Sequence, residues 1–425
     1  MNIRNLQDKK VLVVGAGLSG LAVCHFLLDK GCQITLADSK KPEALPQGEE
    51  LASLGVKLLL DNALPAEVNW DLIVKSPGVP PTTALMKLLL AHNIPMIGEL
   101  ELAYYYGQQA SFVAITGTNG KTTTTSLLGY ILQKAGLPVL VGGNIGRPLV
   151  ESAAKHQGIV VAEVSSFQLE NCYQFKPKVA LLLNITPDHL DRHGDMVNYQ
   201  AVKERIFACQ DENDFAVLNY DDPLLREIPQ RIKSKIIWFS RKEQLSEGVF
   251  AHDGRIFIAL NGKKINLMSC DDIYIKGGHN LENALAAIAS AKALNIQDDI
   301  LVESLRTFPG VAHRLEFIGQ KEGIIYINDS KGTNPDSTIK ALEAYDAPLI
   351  LLAGGRNKGS DFRQLMELIK QKVKLLVLLG EAAIDLQKVA QEAGFADYIM
   401  ADSFEDAFAK AVAAGKKGDI IMLSP

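Results

Sequence analysis

Short apolar runs that end in glycine-rich or polar loops recur along the whole chain. The run at residues 11–14 is followed by a glycine loop, a helical pattern over residues 21–28 and a second apolar run at 34–37. Comparable alternations begin near residue 112 and near residue 324. Buried strands that alternate with helices predict parallel sheets covered by helices. The predicted fold class is therefore α/β.

The pattern divides this α/β chain into three predicted domains. Residues 1–98 form an N-terminal Rossmann-like domain, and residues 99–309 form a central P-loop ATPase-like domain with a mainly parallel sheet. Within the central domain, the short alternating runs of residues 236–275 contain the turn signals His252-Asp253-Gly254 and Asn261-Gly262, which predict an added antiparallel patch. Residues 310–425 form a doubly wound, Rossmann-like C-terminal domain. Because the chain stops directly after an apolar run, we expect further residues beyond Pro425.

A glycine loop between the apolar run 112–115 and a helical pattern from Lys121 predicts a phosphate site. The backbone N–H groups and the positive end of the helix dipole attract an anion, Lys121 adds a point charge, and the Thr122 hydroxyl can bind magnesium. Only two residues separate Gly117 from Gly120, which is shorter than the usual P-loop and weakens a generic nucleotide-switch interpretation. A plain glycine turn is the alternative. The candidate nucleotide-binding residues are Gly117, Thr118, Asn119, Gly120, Lys121, Thr122 and Thr123.

The first glycine loop has the spacing of a dinucleotide fingerprint. Its candidate ligand-binding residues are Gly15, Gly17, Leu18, Ser19 and Gly20, with Asp38 eighteen residues beyond Gly20. The pattern indicates pyrophosphate binding, and an NAD- or FAD-dependent oxidoreductase is an open alternative. A rigid turn, Ser76-Pro77-Gly78, follows a later strand at the sheet edge where ligands of α/β folds bind, although in isolation an ordinary Pro-Gly turn is the better explanation.

Several polar residues stand out against their local pattern. Glu163 lies near the end of an apolar strand, where a carboxylate is costly unless it meets a cation, so it is a candidate magnesium ligand; a solvent-facing edge position is the alternative. The polar loop 186–193 contains His189. Lys203 lies in a helical pattern, where a lysine is normally solvated, and its spacing assigns it no role. Asn280 and Asn283 lie one helical turn apart and suit a ligand, a helix cap or a polar face equally.

Composition and charge exclude some classes of function. A net charge of -5 without basic runs argues against nucleic acid as a partner, and no apolar run approaches the ~20 residues of a membrane span. Five cysteines, none in a CxxC pair, favour a reducing compartment, so we expect a cytoplasmic protein. We also expect a monomer.

The motifs GTNGKTT (117–123), EVSSFQLE (163–170), NITPDHLDRH (184–193), GGHNLEN (277–283) and NDSKGTN (328–334) together resemble the Mur ligases. The resemblance covers nearly the whole chain. It implies an ATP-dependent ligase of cytoplasmic peptidoglycan precursor synthesis that acts through an acyl phosphate and a tetrahedral intermediate. The SSFQL variant, Asn119 and the GAGLSG start imply addition of D-glutamate to UDP-N-acetylmuramoyl-L-alanine.

The resemblance also implies roles for single residues. The implied catalytic residues are Lys121, His189, Lys203 and Lys331, with two magnesium ions held by Thr122, Glu163, His189 and a CO2-derived carbamate on Lys203. Uridine diphosphate would occupy the first glycine loop with Asp38, Ser39 and the turn at Ser76. In addition to the central glycine loop, ATP would contact Asn280, Asn283, Arg314 and Asp329. The remaining substrate contacts would be Asn144, Thr333, Lys358 and Ser424, and we expect the C-terminal domain to move against the central one.

Overall fold

The computed structural model describes residues 5–356 and 360–425. Three sheets, flanked by helices, confirm the predicted α/β class. By compactness these residues form two units. The first contains the described residues up to Phe250 together with Ile258–Ile265 and Ala286–Leu301, and the second contains Ala251–Phe257, Asn266–Leu285 and Val302–Pro425. The three predicted domain ranges stay a prediction.

The first sheet has five parallel strands in the order β3-β2-β1-β4-β5. The central position of β1, between β2 and β4, makes the end of β1 the point where the strand order reverses, which is the usual ligand position of such sheets. Its strands are β1 (Lys10–Val14), β2 (Gln33–Ala37), β3 (Lys57–Leu59), β4 (Leu72–Lys75) and β5 (Met96–Gly98), with helices α1 (Leu18–Leu28), α2 (Gly48–Ser53), α3 (Ala84–Leu90) and α4 (Glu99–Tyr106).

The second sheet has nine strands in the order β14-β13-β12-β11-β10-β9-β6-β8-β7. Its strands are β6 (Ser111–Thr116), β7 (Val139–Gly143), β8 (Ile159–Glu163), β9 (Val179–Leu182), β10 (Phe215–Asn219), β11 (Lys235–Ser240), β12 (Gly248–His252), β13 (Arg255–Leu260) and β14 (Lys263–Ser269). The helices along this stretch are α5 (Lys121–Lys134), α6 (Val150–Ala153), α7 (Ser166–Leu169), α8 (Leu190–His193), α9 (Met196–Glu204), α10 (Gly278–Ala293) and α11 (Asp298–Thr307).

The predicted antiparallel patch is smaller than residues 236–275. Two-residue turns with positive φ at both positions, Asp253-Gly254 and Asn261-Gly262, join β12, β13 and β14 as hairpins. In contrast, β11 pairs parallel with both β10 and β12, so including it in the patch was wrong. The alternating pattern of a strand does not distinguish a parallel partner from an antiparallel one.

The third sheet has the order β15-β16-β20-β17-β18-β19, with only the β15–β16 pair antiparallel among its described strand pairs. The sequence missed β19 because a three-residue strand gives too short an apolar signal. His313 and Arg314 lie in the turn before β15. The strands are β15 (Glu316–Lys321), β16 (Ile324–Asn328), β17 (Leu349–Gly354), β18 (Val373–Leu379), β19 (Tyr398–Met400) and β20 (Ile420–Leu423), and the helices are α12 (Pro335–Glu343), α13 (Arg363–Lys372), α14 (Ala383–Glu392) and α15 (Phe404–Ala414).

The first unit holds the first sheet and the adjoining part of the second around one apolar core. Val13 and Val74 of the first sheet belong to the same buried cluster as Leu100 of α4 and Phe112 and Val160 of the second sheet.

Short 3₁₀ helices complete the chain at Pro42–Ala44, Arg205–Phe207, Leu225–Arg231 and Cys270–Asp272. Among the described residues, no helix combines the length and the apolarity needed to cross a bilayer.

Candidate active site

The phosphate loop joins β6 to α5 with two glycines in conformations that favour glycine. Gly117 has φ 151° and Gly120, which caps α5, has φ 84°. The loop is anchored from a neighbouring strand end, because the Asn184 side chain accepts from the Asn119 N–H (2.8 Å) and donates to the Asn119 carbonyl (3.1 Å). These bonds hold the backbone N–H groups of the helix start in place for an anion.

Two lysine side chains meet at one carbonyl of this loop. Lys121 Nζ donates to the Gly117 oxygen (2.9 Å) and to the Thr118 oxygen (2.7 Å), while Lys203 Nζ donates to the same Gly117 oxygen (2.8 Å). Lys203 is 1% exposed, so the solvated position inferred from its spacing is wrong. Burial, together with the charge of Lys121, lowers the pKa of Lys203 well below its usual value, while Asp188 opposes the shift. Loss of its proton would make Lys203 a nucleophilic amine.

Glu163 ends β8, an interior strand between β6 and β7, and is 2% exposed, which rules out the solvent-facing edge alternative. Its Oε1 accepts from Asn144 Nδ2 (2.8 Å), whereas its buried Oε2 accepts no hydrogen bond from the described residues. An orphaned carboxylate oxygen beside a phosphate loop fits a magnesium ligand. Within residues 5–356 and 360–425 there is no cluster of three or more His, Cys, Asp or Glu side chains arranged for a metal, so other oxygen donors would have to complete the site.

His189 lies in a left-handed conformation (φ 53°) at the start of α8. Its ring centroid is 4.9 Å from that of Phe167 in α7, and Nε2 is 3.6 Å from Asp188 Oδ2. Thr118 Oγ1 bonds the backbone of Thr186 in the same loop, accepting from its N–H at 3.0 Å and donating to its carbonyl at 3.1 Å. The polar loop after β9 is thereby attached to the phosphate loop.

A cavity of about 480 Å³ lies at the carboxyl end of the first sheet. It brings together most of the residues predicted from the fingerprint. Gly20 is the exception, since a Cβ there would lie 1.8 Å from the Gly15 oxygen, which indicates close helix packing instead. The Asp38 carboxylate accepts from the Ala16 and Lys40 N–H groups, so it braces the loop. The predicted residues lining the cavity are Gly15, Gly17, Leu18, Ser19, Asp38, Ser39, Ser76, Pro77 and Gly78.

The remaining predicted residues belong to the second unit. Asn280 and Asn283 are buried and bonded to each other (Nδ2 to Oδ1, 3.2 Å). Asp329 is 4% exposed, and desolvation raises the pKa of its carboxyl group. Lys331 and Thr333 are exposed beside it, and the Lys331 N–H donates to the His313 carbonyl at 3.1 Å, next to Arg314. Ser424 is fully buried, and Lys358 lies outside the described residues.

Comparison with known proteins finds similarity over nearly the whole chain. Three family models match: "Mur ligase MurD-like, N-terminal domain" over residues 9–98, "Mur ligase middle domain" over 115–291 and "Mur ligase, glutamate ligase domain" over 313–425. The UDP-N-acetylmuramoylalanine–D-glutamate ligase of Pelotomaculum thermopropionicum is 50% identical over 100% of this chain and 94% of its own. The enzyme of that name from Clostridioides difficile is 42% identical over 99% and 94%.

The chain belongs to the Mur ligase family. Solved structures support this fold: a pseudomurein peptide ligase type C from Methanothermus fervidus matches with TM-score 0.62 and 20% identity, covering 98% of this chain and 97% of its own. The MurF ligase of Thermotoga maritima, solved in complex with ADP, matches with TM-score 0.61 and 20% identity, covering 99% and 92%.

Two contributors to the site of this Mur ligase were missed from the sequence. Asn184, which anchors the phosphate loop, was quoted only as part of a motif. Tyr199 of α9 is 1% exposed, its hydroxyl is 3.3 Å from Thr118 Oγ1, and its ring lies 4.6 Å from Lys203 Nζ. Its i, i+4 spacing from Lys203 in α9 was the available signal, because such residues share a helix face.

A second ion-pair cluster in this Mur ligase connects the first sheet with α7 and α8. Glu170 accepts from Arg192 through both oxygens (3.1 and 2.7 Å), and Lys75, 3% exposed at the end of β4, lies 3.5 Å from the same carboxylate. His193 Nε2 is 3.0 Å from Ser166 Oγ, and desolvation lowers the pKa of its ring. The turn that follows Lys75 and the helix that follows His189 are thus held by one carboxylate.

Proposed function

We propose that this Mur ligase joins D-glutamate to UDP-N-acetylmuramoyl-L-alanine with ATP as the energy source. The names and near-complete overlap of its 42–50% identical relatives support the assignment. The geometric observation on which it rests is the glycine loop at the start of α5, with the Lys121 ammonium group at its Gly117 and Thr118 carbonyls. A ligase of two anionic substrates and a triphosphate needs concentrated positive charge, and this loop supplies it.

The proposed chemistry activates a carboxylate before the amine attacks it. The L-alanine carboxylate attacks the γ-phosphorus of ATP, ADP leaves, and an acyl phosphate forms. The uncharged amine of D-glutamate then adds to the acyl carbon, and the tetrahedral intermediate expels phosphate to give the amide. Lys121 would stabilise the charge of the transferring phosphoryl group, since it already lies at the loop that would bind the phosphates.

Magnesium fits the donor set near the loop. The orphaned Oε2 of Glu163 and the Thr122 hydroxyl are suitable oxygen ligands for one ion, and His189 with a carbamate on Lys203 would serve a second. Magnesium would supply charge neutralisation between phosphate groups. Burial favours the neutral amine of Lys203, which is the form that reacts with carbon dioxide.

The cavity of the first sheet would hold the uridine diphosphate part of the substrate. The glycine loop and the Ser76 turn offer backbone N–H groups, and about 480 Å³ is within the usual ~300–1,000 Å³ range of small-ligand sites. Asp38, which in a dinucleotide enzyme would be expected at a ribose, is here bonded to the Ala16 N–H, so the nicotinamide alternative gains no support from it. In the second unit, Asn280 and Asn283 would contact adenine, and Lys331, Thr333 and Ser424 would contact D-glutamate. Such a reaction belongs in the cytoplasm, where ATP and nucleotide sugars are available.

The test is phosphate release measured with ATP, UDP-N-acetylmuramoyl-L-alanine and a panel of amino acids. D-glutamate should support release with formation of one amide per ATP. Equal rates with L-lysine or diaminopimelate would refute the amino-acid assignment. ATP binding without any amide product would instead favour a nucleotide switch, and reduction of NAD would favour an oxidoreductase.

A further inference from the structure

The buried carboxylate of Asp329 joins two strand ends of the second unit. β16 and β20 are parallel neighbours with Asn328 opposite Leu423, so Asp329 and Ser424 follow at the same edge in register. Asp329 Oδ2 is 2.9 Å from Ser424 Oγ, and the Asp329 N–H donates to the Leu423 carbonyl at 2.8 Å. Ser424 is held from its other side as well, because its N–H donates to the Leu352 carbonyl of β17.

The donors and acceptors of this contact have a defined direction. Ser424 Oγ also lies 3.2 Å from Thr338 Oγ1 in α12. A serine hydroxyl has one proton and an ionised carboxylate only accepts, so Ser424 donates to Asp329 and leaves its lone pairs to the Thr338 hydroxyl. Hydrogen bonds to an ionised group are roughly twice as strong as neutral ones, so Asp329 determines the orientation of the Ser424 side chain.

The other oxygen of Asp329 stabilises an unfavourable turn. Oδ1 accepts from the Leu315 N–H (3.2 Å), and Leu315 (φ 44°) and His313 (φ 67°) both have left-handed backbone conformations that are unfavourable for residues other than glycine. Glu316 contributes a second bond by accepting from the His313 N–H at 2.7 Å. Asp329 therefore holds the turn that carries Arg314 and the side chain of Ser424 at the same time.

We propose that Asp329 is a positioning residue for the amino-acid substrate, acting through Ser424. The proposal rests on the proposed function, in which Ser424 contacts D-glutamate, and it differs from the ATP contact that the resemblance implies for Asp329. Ser424, Thr333 and Asn334 line one small cavity of about 30 Å³. In so narrow a space, reorientation of the Ser424 hydroxyl changes the shape and the hydrogen-bonding of the wall against which the amino acid would bind.

The experiment compares Asp329→Asn, Ser424→Ala and the double variant with the wild-type protein. An asparagine amide places an N–H donor where one oxygen accepts, so Ser424 loses its fixed orientation. With UDP-N-acetylmuramoyl-L-alanine saturating, we expect each single variant to raise the KM for D-glutamate about tenfold or more. The KM of the double variant for D-glutamate should be no higher than that of the more strongly affected single variant, since both single changes remove the same hydrogen bond. The exposed Asp402 provides the matched control Asp402→Asn, which should leave both KM values unchanged.

Three outcomes would overturn the inference. The first is a rise of the KM for ATP alone, which would place Asp329 at the nucleotide. The second is a double variant in which the rise of the KM for D-glutamate equals the product of the two single rises. The third is a fall of kcat and thermal stability with both KM values within twofold of wild type, which would mean a purely structural role.

A further variant covers the case in which Asp329→Asn does not fold. Thr338→Val keeps Asp329 and removes only the donor to Ser424, so an unchanged KM for D-glutamate supports the inference. A several-fold rise would assign the orientation of Ser424 to Thr338 and refute it. Wild-type protein without D-glutamate-dependent phosphate release would refute the proposed function, whereas active wild type without the KM effect refutes only this inference.

Discussion

Glu99, the first residue of α4, should make the stability of the first unit depend on pH. The side chain is 2% exposed, its Oε1 accepts from the Val150 N–H of α6 (2.8 Å), and desolvation raises the pKa of its carboxyl group to about 7. Between pH 4.5 and 7 the native state therefore holds a proton that the unfolded chain has released. Stability falls as pH rises across this window and is flat above it.

The magnitude follows from the two pKa values. A rise from 4.5 to about 7 corresponds to roughly 3 kcal/mol of unfolding free energy, at about 1.4 kcal/mol per pH unit. Glu99→Gln keeps an oxygen that accepts from Val150 and removes the titration. The free energy of unfolding of this variant relative to wild type should therefore increase by about 2.5 kcal/mol between pH 5 and pH 8, since part of the change has already occurred at pH 5.

Urea unfolding followed by tryptophan fluorescence measures this difference. Both tryptophans of the chain, Trp70 and Trp238, lie in the first unit, so the signal reports that unit alone. Burial also raises the pKa of Glu101, but Glu101 is present in both proteins and cancels in the comparison. Glu151→Gln, an exposed change in α6, is the matched control. Parallel pH profiles for wild type and Glu99→Gln would refute the reasoning.

Two further predictions concern buried lysine side chains of the first unit. Lys203→Ala should lose most ligase activity and recover part of it with formate or acetate, whose carboxylate replaces the carbamate. A lack of recovery in that assay, or an equal loss in the exposed control Lys155→Ala, would contradict the carbamate role of Lys203. Lys75→Met should change unfolding free energy by about 1 kcal/mol or less because Glu170 keeps Arg192. Glu170→Gln should cost about 3 kcal/mol, the low end for a buried pair, because it leaves the buried Lys75 and the partly buried Arg192 without their carboxylate. Equal costs for the two variants, measured by urea unfolding, would disprove this asymmetry.

Local signals correctly predicted the two glycine loops and the strand and helix on either side of each loop. Gly15, Gly117 and Gly120 adopt the positive φ values that their loops require, and the residues predicted around the first loop line one cavity. These features depend on neighbours a few positions away, so the sequence pattern contains them. The local pattern also singled out Glu163 as a carboxylate in an apolar strand, and its burial is confirmed, whereas its role as a magnesium ligand stays a prediction.

Lys203 shows where local reasoning fails. Its helix position is ordinary for a solvated lysine, and its burial arises from a contact with Gly117, 86 residues away in the chain. The Asn184–Asn119 bonds span 65 residues and were missed for the same reason. Such contacts exist only once β6 and β9 are paired neighbours and α9 packs over their ends, so no periodicity of α9 contains them.

Asp38 and Asp329 show that a correct motif still leaves the role of a carboxylate undecided. Each follows a parallel strand at the edge where ligands bind, and the family resemblance implies a nucleotide contact for both. In the structure each carboxylate accepts from a backbone N–H of a loop beside it, Ala16 for Asp38 and Leu315 for Asp329. A carboxylate at such an edge accepts hydrogen bonds from backbone N–H groups of the ligand-binding loop that would otherwise have no partner. A carboxylate at such a position can therefore bind a ligand, hold the loop, or do both. Variants whose KM values are measured separately for ATP and for D-glutamate distinguish these roles.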